Sequence, residues 1–72
     1  MKKIMNIEMA AGKRAQIAVG KIVNALTDGK INAVVRDDGV CEMNVEFANE
    51  DEFETVLGIM KNARDTRVVI VQ

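Results

Sequence analysis

The first stretch of the chain alternates. Met5, Ile7 and Met9 fall on one side of an extended segment over residues 3–9, and Ile4, Asn6 and Glu8 on the other, which is the pattern of a half-buried strand. From about Ala11 to Leu26 the period lengthens, and Ala11, Ala15, Ala18, Val19, Ile22 and Leu26 line one stripe of a helix. Thr27-Asp28-Gly29 ends it, with Gly29 read as the left-handed residue that follows many helices. Two alternating runs follow, Ile31 to Arg36 and Val40 to Phe47, joined by Asp37-Asp38-Gly39. A two-residue turn would pair Arg36 with Cys41 and scramble the faces. A three-residue turn closing on a left-handed Gly39 pairs Val35 with Cys41, Ala33 with Met43 and Ile31 with Val45. That register collects one apolar row, and the buried face selects it. Asn32, Val34 and Arg36 then stand opposite Asn44, Glu42 and Val40 on the other face.

Asn49 is a strong helix N-cap, with Glu52 three residues on as its capping-box partner. Glu50, Asp51, Glu52 and Glu54 gather at the positive end of this second helix and read as a solvated start. Lys61 and Arg64 lie near its negative end. Phe53, Val56, Leu57 and Met60 form its buried stripe. Arg67 to Val71 makes a last strand whose two parities, Val68 and Ile70 against Val69 and Val71, are both apolar, so the pattern leaves open which pair faces the core.

The order βαββαβ in 72 residues predicts a single α+β domain spanning 1–72. Its layout resembles the ferredoxin-like two-layer sandwich: a four-stranded antiparallel sheet in the order 4-1-3-2, with both helices on one face. A three-stranded sheet whose last strand pairs with another chain is the alternative. No apolar run approaches the ~20 residues that cross a bilayer, and Asn6 and Glu8 interrupt the basic start before it reads as a signal peptide. A cytoplasmic protein with no membrane partner is the expectation.

Composition narrows the chemistry. Histidine and serine are absent and Cys41 is the one cysteine, so no Ser/His or Cys/His nucleophile pair can be assembled. Cys41 falls on the core-facing row and reads as a small hydrophobe. Met5, Met9, Met43 and Met60 read as core filling around Phe47 and Phe53. We therefore expect no enzyme, no metal and no cofactor. Ala11-Gly12-Lys13 lacks the spacing of a phosphate loop. The net charge of −1 gives no field favouring nucleic acid.

Three families share this layout. RNA-recognition domains stack bases on exposed aromatics of the central strands. The outward positions here hold Ile4, Asn6, Glu8, Glu42, Asn44 and Glu46, so the sheet is not expected to bind RNA. Acylphosphatases carry an arginine-bearing anion loop after the first strand; Lys13 and Arg14 lie near that place, but the glycine-rich loop pattern is absent. Small stand-alone domains of this layout also resemble the ACT and related regulatory modules, which pair their sheets. That resemblance, of topology alone, implies a small-ligand site at a dimer seam near Met9 to Gly12.

The reading that remains is a non-enzymatic protein-interaction or regulatory domain. It would self-associate as a homodimer through its sheet and bind a protein partner of unspecified identity. The candidate surface is Ile4, Asn6, Asn32, Val34, Arg36, Glu42, Asn44, Val69 and Val71, a mixed apolar and amide face. An alternative surface on the first helix comprises Lys13, Arg14, Ile17, Gly20 and Lys21. There an interior glycine beside an exposed isoleucine suits a close-approaching partner, or the basic residues suit nucleic acid. An ACT-like small-ligand module is the other alternative.

Overall fold

In a computed structural model, the structure describes residues 3–71. Met1 and Lys2, part of the basic start, lie outside them. The elements are β1 (Lys3–Ala10), α1 (Lys13–Ala25), β2 (Lys30–Val35), β3 (Val40–Phe47), α2 (Glu50–Lys61) and β4 (Arg67–Val71). The strands form one antiparallel sheet in the order β2-β3-β1-β4, with β1 and β3 central. This is the expected order read from the other edge.

The hairpin adopts the three-residue turn. Val35 pairs with Cys41, Ala33 with Met43 and Ile31 with Val45. Arg36 N–H donates to Val40 O at 2.8 Å, and Gly39 N–H donates to Arg36 O at 3.0 Å. Gly39 has φ +80°, a conformation that costs a side chain-bearing residue and that glycine adopts freely. The Asp38 carboxylate accepts the Val40 N–H at 3.1 Å, which fixes the exit of the turn.

Between sheet and helices lies a core of Met5, Ile7, Met9, Ala15, Ala18, Ile22, Cys41, Met43, Val45, Phe47, Phe53, Val56 and Met60. Phe47 and Phe53 meet edge to face, centroids 5.3 Å apart. The four expected core methionines are all buried. In β4, Ile70 pairs with Met5 and Val68 with Ile7, so that pair shares the helix side and Val69 and Val71 share the open face.

Three local expectations are corrected. Gly29 is not left-handed; positive φ among the glycines belongs to Gly12 and Gly39. What Gly29 answers is crowding, since a Cβ there would sit 2.5 Å from Glu46 O and 2.6 Å from Glu52 Oε1. The acidic start of α2 is not wholly solvated: Glu50, Asp51 and Glu54 are exposed, but Glu52 is 3% exposed. The apolar row of β2 has the right parity but little cover, because β2 is an edge that the helices overlap only in part. Val35 is 63% exposed, Ala33 is exposed and Ile31 half-buried.

Gly20 and Gly58 sit on exposed helix surface, and a Cβ on either meets nothing within 4 Å. Neither position uses what glycine alone can do. Gly20→Ala and Gly58→Ala are each expected to stabilise the domain by about 0.5–1 kcal/mol, read as a higher urea midpoint at unchanged slope. A lower midpoint would show that the missing side chain matters to the fold.

Candidate functional site: the open sheet face

The register sorts the open face into rungs that run across all four strands. One is Lys30, Glu46, Ile4 and Val71; the next is Asn32, Asn44, Asn6 and Val69; the third is Val34, Glu42, Glu8 and Arg67. Every residue of the predicted sheet surface is therefore on this face, with Arg36 joining it beyond Val34. No element of the described residues covers it. Ile4 is 37% exposed, Val34 54%, Val69 40% and Val71 45%.

The third rung sets Glu8 directly opposite Glu42, a pairing that repels in isolation. Arg36 resolves it. One guanidinium nitrogen lies 2.9 Å from Glu8 and 3.1 Å from Glu42, and Nε lies 3.5 Å from Asp38. The arginine is thus held within its own chain, neutralising the carboxylates at one end of the face rather than standing free for a ligand. Glu8 was read in the sequence as an outward residue but not as part of this cluster. Its partnership depends on the Arg36 side chain reaching across β3 to β1.

The middle rung is unusual for a strand surface. Asparagine is depleted in sheets, yet three lie side by side, and Asn6 Oδ1 is buried with no hydrogen-bond partner. A buried amide oxygen left without a donor costs free energy. The three amides supply both donors and acceptors to whatever meets the face.

The region from Met9 to Gly12 borders a shallow groove of about 310 Å³ between α1 and β2. Ala11, Ala15, Val19, Ala33, Val35 and Cys41 make it apolar, and Gln16 is the polar side chain at its wall. No charged side chain lines it to fix a metabolite's ionic group. Among the described residues no group of three or more Cys, Asp or Glu side chains is placed to hold a metal ion.

The alternative helix surface is also exposed: Lys13, Arg14, Gly20 and Lys21 are open, and Ile17 is 50% exposed. The Arg14 guanidinium donates to the Arg64 carbonyl at 2.8 Å, tying the start of α1 to the chain after α2. Lys13 and Arg14 stand at the positive end of the α1 dipole, whose first turn holds no acidic residue.

The residue that sequence reasoning underrated is Glu52. Its carboxylate accepts five hydrogen bonds: from Thr27 N–H (2.7 Å), Thr27 Oγ1 (2.8 Å), Asp28 N–H (2.8 Å), Gly29 N–H (3.2 Å) and Ala48 N–H (2.9 Å). Its own N–H donates to Asn49 Oδ1 at 3.0 Å, completing the N-cap as expected. The reciprocal arm of the capping box goes to Ala48, one residue earlier than the pattern prescribes, and the rest of the carboxylate spans to the α1–β2 turn. The Ala48 and Asp28 N–H groups, with Thr27, outweigh desolvation and hold its pKa down to about 2. Glu52 is a structural clamp rather than a reactive acid.

No family model matches the chain, and no curated protein matches it. Solved structures do. The de novo designed protein Foldit4 superimposes with a TM-score of 0.61 at 9% identity, over 99% of this chain and 94% of that one. The de novo designed protein Ferredog-Diesel superimposes with a TM-score of 0.57 at 14% identity, over 100% of this chain and 85% of that one. These likenesses, with the element order and sheet order, define an α+β domain of ferredoxin-like fold. At such identities they speak to the fold alone. No helix of the described residues is long and apolar enough to cross a membrane.

Proposed function

We propose that this chain is a non-enzymatic interaction domain that self-associates through its sheet and, once assembled, binds or regulates a protein partner in the cytoplasm. The observation that carries the reading is the uncovered sheet face. It sets four exposed aliphatic side chains around a row of amides, one of whose oxygens is buried without a donor. Patches of this kind mark contact surfaces on small soluble domains. The charges on the face balance, three carboxylates from Glu8, Glu42 and Glu46 against Lys30, Arg36 and Arg67, so an approaching protein surface meets no net charge. The absence of histidine and serine, and the burial of the lone thiol, support a role without catalysis. A single cysteine that forms no disulfide suits a reducing compartment.

Dilution from millimolar to micromolar protein, followed by amide chemical shifts, tests this reading. Signals of sheet residues, Asn6, Val69 and Val71 among them, are expected to move with concentration, while Ile17, Gly20 and Gly58 on the helices stay fixed. Shifts confined to α1 would move the interaction surface to the helix layer.

A further inference from the structure

The sheet has two edges, and they are not alike. Edge strands invite pairing with other chains unless something guards them: charge, proline, a bulge or cover. β2 also exposes apolar side chains on both faces, Val34 at 54% and Val35 at 63%, but it carries Lys30 at its start and Asn32 within it. It runs on to Arg36, held among Glu8, Asp38 and Glu42. β4 has none of these guards after its first residue. It reads Arg-Val-Val-Ile-Val, contains no proline, and keeps an unbroken ladder of five pairs with β1. It exposes apolar side chains on both faces: Val69 at 40% and Val71 at 45% on the open side, Ile70 at 41% on the helix side.

We infer that β4 is the seam of self-association, pairing antiparallel with β4 of a second copy about a two-fold axis at Val69, so that two four-stranded sheets become one. The inference rests on the self-association proposed above and names its edge and register. Pairing Val69 with its own equivalent is the antiparallel alignment that overlaps all five residues of both strands. It also keeps parity, so both helix layers stay on the same side of the joined sheet.

On the helix side this register sets Ile70 opposite Val68 of the second copy. The core rows then run on without a break: Met5, Ile70, then Val68 and Ile7 of the other chain. On the open side Val69 meets Val69, with an Asn6 flanking each. Arg67, the one charge on the strand, lies beside Glu8 of its own chain and faces Val71 of the other. The two arginines fall at opposite ends of the seam, so no like charges meet. A second copy of this chain therefore satisfies the strand's side chains on both faces at once.

Three variants of the full chain, with sedimentation and mild oxidation, decide it. Val69→Lys places two ammonium groups face to face at the centre of the seam and is expected to weaken dimerisation roughly tenfold or more. Val34→Lys adds the same charge to the same open face at the far edge and so separates the two geometries: it spares an edge-to-edge dimer and breaks a face-to-face one. Val69→Cys is expected to cross-link to itself on oxidation, because directly opposed residues in an antiparallel ladder lie about 4.5–5.5 Å apart between Cα atoms, within disulfide reach. Buried Cys41 takes no part. If the wild type is dimeric but Val34→Lys dissociates it while Val69→Lys does not, the copies stack face to face; the edge inference then fails and the self-association stands. A wild type that stays monomeric at every concentration overturns both. If Val69→Lys does not fold, the cysteine variant decides alone: a folded, dimeric Val69→Cys protein that yields no covalent dimer overturns the seam.

Discussion

Replacing Glu52 by glutamine is expected to lower the melting temperature at pH 7 by roughly 10–20 °C. The side chain keeps its size and loses half of its accepting capacity. All five of its partners are donors, four of them backbone N–H groups. An amide offers one oxygen to them and turns an NH2 group toward the rest, so donors face donors in a site that is 3% exposed. The loss falls on two elements together, because the carboxylate joins the α1–β2 turn to the entry of α2. The pH dependence follows from the same bonds. The folded-state pKa is depressed from the ordinary 4.5 to about 2, so the carboxylate's contribution is complete above pH 4.5. It is lost as pH falls from there toward 2. Urea midpoints of wild type and Glu52→Gln, measured at several pH values, are expected to differ most at neutral pH and to converge across that window. A gap that stays constant down to pH 2.5 would mean that Glu52 titrates as an ordinary surface carboxyl group.

The second large effect is expected at Gly29, next to the same carboxylate. A methyl group there would lie 2.5 Å from Glu46 O, 2.6 Å from Glu52 Oε1 and 3.0 Å from Leu26 Cδ2. Glu46 pairs with both Lys30 and Ile4, so its carbonyl is part of the ladder and cannot retreat. The turn must move instead, taking the Thr27, Asp28 and Gly29 N–H groups off the carboxylate. Gly29→Ala is expected to destabilise by about 1–3 kcal/mol, near the cost of overpacking a filled site. The same substitution at Gly20 or Gly58 is expected to stabilise. Because Gly29→Ala and Glu52→Gln damage one cluster, their effects are expected to be less than additive in a double-mutant cycle. Full additivity would show that the alanine is absorbed without disturbing the clamp.

These two residues also show where sequence reading stops. Strands, helices and hairpin register were legible because they depend on local period and on a single decision about which face is buried. Val35 opposite Cys41 follows from that decision alone. Glu52 was legible as a capping residue, since three-residue spacing from Asn49 is local. Its bonds to Thr27, Asp28 and Gly29 were not, because they span more than twenty residues and exist only once α1 and α2 lie antiparallel. Gly29 was read as a glycine of conformation when it is a glycine of close approach, and the two look the same in a sequence. The parity of β4 was undecidable from its own residues, and the ladder with Met5 and Ile7 decides it. The open face was legible residue by residue. The alignment of three asparagines in one rung, and the Arg36 bridge between Glu8 and Glu42, required the registers of three strands at once.

Everything proposed for the sheet requires that this domain associate with itself. Sedimentation equilibrium of the wild-type chain, from micromolar to millimolar concentration, measures that directly. A reversible monomer–dimer equilibrium is expected, with the mass approaching twice that of the 7.9 kDa chain as concentration rises. A constant monomer mass across the whole range would contradict it.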